Sequence, residues 1–138
     1  MIQKLFIPAN QLRIEGAAQF VLAVWAYHQI DASWIGFVVL FLVPDLSWLG
    51  YLGGNQIGAI IYNTFHNNLL PLALAVVGLI GGNPLAVALG LIWLAHIGAD
   101  RLLGFGLKYS TGFKDTHLGT LAGSENRKWP QKSQTPGN

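Results

Sequence analysis

Residues 14 to 100 contain no lysine and no arginine. The basic side chains are Lys4 and Arg13 on one side of that stretch, and Arg101, Lys108, Lys114, Arg127, Lys128 and Lys132 on the other. Within it the acidic residues are Glu15, Asp31, Asp45 and Asp100. A water-facing surface cannot be built from so little charge. Positive charge confined to the two ends is what an even number of membrane crossings produces, because basic residues collect on the cytoplasmic side.

Composition agrees. Of 138 residues, 52% are hydrophobic and 10% charged, against about 25% charged in ordinary soluble domains. There is no cysteine, which excludes disulfides, thiol chemistry and sulfur-ligated zinc. The net charge of +2 is scattered over two tails, so nucleic acid is not an expected partner; the lipid bilayer is. The first apolar segment starts with Arg13 and Glu15 and ends without a small-residue cleavage site, unlike a signal peptide.

Four apolar segments follow one another, roughly 12–30, 34–49, 57–80 and 85–103. About 20 residues of helix cross the hydrocarbon core. The separators, Asp31-Ala32-Ser33, Gly50 to Gln56 and Gly81-Gly82-Asn83-Pro84, are turn formers. Such short links make neighbours antiparallel, so the expected fold is an all-α integral membrane four-helix bundle. It occupies residues 12–119 with a cytoplasmic C-terminal loop, and residues 124–138 form a disordered polar tail. The expected location is the cell membrane, multi-pass, with both termini cytoplasmic. Pro44 is expected to kink or loosen the second helix beside Asp45, and Pro71 the third.

Polar groups in a membrane segment are costly and mark functional sites. With antiparallel neighbours, Glu15, Asp45, Asn63, His66, His96 and Asp100 all fall toward one end. His96 and Asp100 are four residues apart and share a helix face. Histidines and carboxylates together suit a divalent zinc, iron or manganese ion, which activates water for hydrolysis. The expected metal ligands are Asp45, His66, His96 and Asp100. The glycine-punctuated stretch 104–119 starts at the same end and can fold back, bringing Asp115 and His117 over the site to complete it or act as base. The tryptophans, Trp93 included, are expected as interface anchors and lipid-facing packing. Each of these residues also has a plainer reading: Asp100 as an interfacial ion pair with Arg101, His66 as a hydrogen-bonded packing residue, His117 as an ordinary loop residue.

The runs RIEG at 13–16, VPDLSWLGY at 43–51, YNTFHN at 62–67, LIWLAHIGADRLLGFGLKY at 91–109 and GFKDTHLG at 112–119 resemble the bacterial membrane proteins grouped as domain-of-unknown-function family 4260. The resemblance covers roughly residues 12–119 and implies an integral membrane protein without implying an activity. Pro44-Asp45, His66 and His96-Asp100 also resemble, more faintly, the order of blocks in membrane-bound metal-dependent hydrolases. Ser47 stands where those carry a second aspartate, and their arginine-rich histidine block is absent around His66. Three function classes stay open: a metal-dependent hydrolase at the cytoplasmic membrane face, a small oligomeric transporter or proton relay using the same groups, and a non-catalytic membrane partner protein. Self-association as a homo-oligomer is open in each.

Overall fold

A computed structural model describes residues 6–112 and 114–120; the expected tail, 124–138, lies outside them. The chain forms helix α1 (Pro8–Gln29), α2 (Trp34–Phe41), a 3₁₀ segment (Val43–Gly53), α3 (Asn55–Phe65), α4 (Leu69–Ile80) and α5 (Pro84–Leu103). A two-stranded antiparallel hairpin, β1 (Asp115–Thr116) and β2 (Gly119–Thr120), closes the described residues. The four apolar segments are thus helical, but two are not single helices.

The second segment breaks at Leu42. Pro44 removes a backbone donor in the first turn after it, and the chain continues as 3₁₀ helix through Asp45 and Ser47. The third segment, expected as one helix over 57–80, breaks at His66-Asn67-Asn68 between α3 and α4. The run is a poor helix former, and in an unbroken helix Pro71 could not donate to the Asn67 carbonyl, whereas after the break it stands in the first turn of α4, where no donor is needed. The stretch expected as a plain loop after α5 contains the hairpin. Three spans are long and apolar enough to cross a membrane: Trp34–Gly53, Asn55–Ile80 and Pro84–Leu103. Helix α1 is as long, but is not among them.

Helix α5 is the centre of the packing, with Ala95, Ile97 and His96 essentially inaccessible. Helix α1 lies antiparallel against it: Gly16 faces Gly98 and Leu102, and Gln19 reaches Leu94. The backbones come so close that a Cβ on Gly98 would sit 2.7 Å from the Phe20 nitrogen, the small-residue packing that lets membrane helices approach. Helix α4 packs on the opposite flank through Gly78 and Gly90. The α4–α5 turn is held by Asn83, whose side chain accepts from Ala86 N–H at 3.1 Å, with Pro84 in the first turn of α5 as expected. At the far end, Tyr27 is buried, donates to the Ser33 carbonyl at 2.7 Å and packs edge-on against Trp34 and Phe37.

The outward faces are apolar. Ile35, Leu52, Ile80 and Leu69 are mostly exposed, while His66, His96 and Lys108 are buried. This inversion of the usual order is what a hydrocarbon solvent favours, and three apolar spans are compatible with a membrane protein.

Candidate metal centre

Four side chains from four stretches of backbone converge at one end of α5. Asp45 comes from the 3₁₀ segment, His66 from the residue capping α3, and His96 and Asp100 from successive turns of α5. One ligand atom from each lies within 4.8 Å of every other. His66 Nε2 is 3.6 Å from Asp45 Oδ1 and 3.4 Å from Asp100 Oδ2. His96 Nε2 is 3.5 Å from each of the same two oxygens. The two Nε2 atoms are 3.3 Å apart.

These lengths can be compared with a coordination sphere. Ligand bonds of about 2.0–2.1 Å in tetrahedral geometry put neighbouring ligand atoms about 3.3–3.4 Å apart. Five of the six separations are within a few tenths of that value, and the sixth, Asp45 to Asp100, lies within 4.8 Å. The donor chemistry agrees, since two imidazoles and two carboxylates suit zinc, iron or manganese.

The hydrogen bonding also leaves lone pairs facing the centre. His66 Nδ1 is 2.9 Å from the Tyr62 carbonyl, which can only accept. The hydrogen of the neutral ring therefore sits on Nδ1, and Nε2 presents its lone pair to two carboxylate oxygens. A backbone carbonyl holding the distal nitrogen is a common way to fix the ring of a metal-ligating histidine. Converging acceptors repel unless a cation or proton lies among them. His96 Nδ1 is buried and makes no hydrogen bond of regular geometry; the Phe41 backbone is the group that approaches it.

Access is one-sided. Both histidine side chains are 2% exposed, Asp100 is 17% exposed and Asp45 is 48% exposed. The centre opens at Asp45 and is closed elsewhere. Tyr62 stacks face to face on His66, 3.7 Å between centroids. Phe41 meets His96 edge-on at 5.3 Å.

A surrounding layer fixes the break that places His66. Arg101 donates to the His66 carbonyl at 3.0 Å and to the Phe105 carbonyl at 3.2 Å. Trp93 Nε1 donates to the Phe65 carbonyl at 2.6 Å, so this tryptophan is a structural donor rather than the lipid-facing anchor expected of it. Gln19 and Asn68 exchange side-chain bonds of 3.0 Å, and Gln19 also donates to the Leu94 carbonyl at 2.7 Å. The carbonyls freed at the end of α3 thus find partners inside the protein, as a helix break at membrane depth requires.

The segment after α5 docks beside the centre. The side chain of Asn63 exchanges bonds with the Lys108 backbone at 2.6 and 2.8 Å. Lys108 is buried with Nζ 4.9 Å from the Tyr62 ring centre, and burial pulls its ammonium below the usual lysine range. His117 does not join the four: it is exposed, its Nδ1 accepts from Leu107 N–H at 2.8 Å, and its ring lies against Gly106. Partial desolvation of the ring where it lies against Gly106, then the nearby Arg101 charge, lowers its pKa from the ordinary histidine value. The side chain of Asp115 lies outside the described residues. Glu15 is exposed. The residues that sequence reasoning missed are Tyr62, Trp93, Gln19 and Arg101 in their supporting roles. In the plainer reading of Asp100 its partner is Arg101; the hydrogen bonds that Arg101 makes go to carbonyls.

The family described as Domain of unknown function (DUF4260) has a model that matches residues 9–121. The chain belongs to this family. The match spans α1 to the hairpin, so all four converging residues and the layer around them lie within the DUF4260 region. No curated protein and no solved structure matches the chain.

Proposed function

We propose that this DUF4260 protein is a multi-pass membrane protein carrying a mononuclear divalent metal centre, and that the centre hydrolyses a substrate at the cytoplasmic membrane face. The observation that carries the reading is the convergence of Asp45, His66, His96 and Asp100, with one ligand atom of each within 4.8 Å of every other.

Antiparallel α1 and α5 put the start of one and the end of the other together, so all the described basic residues fall at the end holding the centre. The positive-inside rule makes that end cytoplasmic. Helix α1 follows α5 along its length and would cross with it, giving four crossings and both termini inside. The half-exposed Asp45 gives a substrate and a water a way in, and zinc sites expand from four to five ligands when they do so. A divalent ion held by these four residues would supply Lewis-acid polarisation of an ester or phosphoryl oxygen and a more acidic water. In hydrolysis the water's hydroxyl joins the acyl or phosphoryl atom, a base takes its proton, and the departing oxygen is protonated in turn. Asp115 and His117 are the candidate bases; His117 would take up a proton only by releasing the Leu107 amide from Nδ1.

Elemental analysis of detergent-purified protein tests the centre. The expected result is about one zinc, iron or manganese per chain, removed by chelator and restored by the ion. Protein that stays metal-free after incubation with each ion removes the reading, and leaves the polar groups to a proton relay or to packing. A reporter fused after Asn138 checks the orientation, since it is active only on its own side of the membrane.

A further inference from the structure

The proposed metal centre is most exposed at Asp45, and an apolar groove lies on the surface beside α2. The groove has a volume of about 300 Å³ and is lined by Phe20 of α1 and Phe37, Val38, Phe41 and Leu42 of α2 and its end, near the lower limit for ligand pockets. Phe37 and Phe41 stack at 5.7 Å, and Phe20 meets Phe41 edge-on at 6.4 Å, so its walls are largely aromatic. Phe41 is also the ring that touches His96, and Leu42 is three residues before Asp45. The lining thus follows α2, a membrane-crossing element, and includes at one end the ring that touches His96.

Hydrocarbon occupies such a groove at membrane depth, and a chain lying along α2 has the direction of a lipid tail. The formal charge of this end of the protein points to the headgroup. A divalent ion balances Asp45 and Asp100. Arg13, Arg101, Lys108 and Lys114 then outnumber Glu15 and Asp115 at this end of the protein. We infer that the substrate of this centre is an anionic acyl lipid of the bilayer, its tail in the Phe20–Phe37–Phe41 groove and its headgroup at Asp45. This inference rests on the metal-centre reading and adds the substrate class to it.

The test uses the full-length protein in phosphatidylcholine vesicles containing a small fraction of phosphatidylglycerol with a diazirine on its acyl chain. Photolabelling is mapped by mass spectrometry, and metal content is measured on the same samples. The expected label falls on residues 37–42. It is about tenfold weaker with a phosphatidylcholine probe of the same chain. Val38→Trp and Leu42→Trp, both at exposed positions, should reduce it about tenfold by filling the groove, with metal content unchanged. Ile35→Trp, exposed on the same helix but outside the lining, should label as the parent does. Equal labelling by both probes, or label unaffected by either groove variant, means ordinary boundary lipid and overturns the inference while metal content stands. Label at 37–42 in protein that never binds metal overturns the metal reading instead, and with it the assignment of the lipid as substrate.

Discussion

The two ends of the α1–α5 pair are built on opposite principles. At the Tyr27 end, α1 and α2 meet through Tyr27, Trp34 and Phe37, and the α4–α5 turn through Gly78 and Asn83. The side-chain bonds described there, from Tyr27 to Ser33 and at the Ser33 and Asn83 caps, complete turns. At the other end two helical segments are broken, and the breaks gather Asp45, His66, His96 and Asp100. Regular helix satisfies its own backbone, so a turn and small residues are enough to close the first end. Broken helix exposes backbone groups that lipid cannot satisfy, and Trp93 and Arg101 are placed to supply them. A protein accepts that cost where a side chain must point inward from a place regular helix would not put it.

The sharpest way to break this contrast is to remove a proposed ligand. If the four residues hold a metal, His96→Ala deletes one of four donors and should weaken metal binding by more than the 10–100-fold typical of losing a supporting partner. Helical content by circular dichroism should be nearly unchanged, because His96 lies inside α5, where alanine is a good helix former. Tyr27→Phe at the other end should leave metal content at its parent value. Metal loss in both variants would mean that the two ends are not independent.

Next in size is a change at the helix crossing. Gly78→Leu puts a side chain where even a Cβ would lie 2.7 Å from the Val87 nitrogen. Overpacking typically costs about 1–3 kcal/mol, and at this close backbone contact the upper part of that range is expected, read as a lower midpoint of unfolding in detergent. The metal affinity of the fraction that remains folded should stay within about threefold of the parent, since the site is at the far end of α5. A proportionate fall in affinity would show that the α4–α5 spacing sets the site geometry.

Arg101→Lys acts on the site without touching a ligand. Lysine keeps the charge but loses the two-pronged geometry that holds the His66 and Phe105 carbonyls together. Metal affinity is expected to fall about 10-fold, at the mild end of the range for supporting residues, and the visible spectrum of a cobalt-substituted protein should shift as His66 reorients. An unchanged spectrum and affinity would make Arg101 a membrane-interface residue only.

Much of this arrangement was legible in the sequence, for reasons that also mark where legibility ends. The i, i+4 spacing of His96 and Asp100 puts both on one face of any helix, and α5 is a helix. Pro44 announces the loosened backbone at Asp45. Short turns bring the polar ends of neighbouring segments together. The break at 66–68 was hidden because the residues around it, from Ile57 to Ile80, are apolar enough to read as one span. His66-Asn67-Asn68 followed by Pro71 carried a signal, since none of these favours helix interior. The partners of Trp93 and Arg101 were not readable, because each bonds a carbonyl about thirty residues away in the chain, and every residue has a carbonyl.

The smallest effect concerns the hairpin, where the site end meets water. His117 Nδ1 accepts from Leu107 N–H, and its own N–H donates to the Leu107 carbonyl at 3.0 Å. The accepting bond requires an unprotonated Nδ1, while partial desolvation and the Arg101 charge also disfavour the imidazolium, so the folded pKa lies below the ordinary histidine value of about 6.5. Above that value both the docked and the undocked ring are neutral, and the group adds no pH dependence. As pH falls through about 6.5 the undocked ring takes up a proton first, and docking of the hairpin weakens until the pH passes the lower folded pKa. Amide exchange at Leu107 should therefore speed up on going from pH 7 to pH 5, after correction for intrinsic rates, while amides in the middle of α5 stay protected. His117→Gln, which can accept through its amide oxygen and does not titrate, should flatten that dependence. If exchange at Leu107 in the parent is as insensitive to pH as in the variant, the imidazole does not hold the hairpin, and the polar end of the molecule stops at the end of α5.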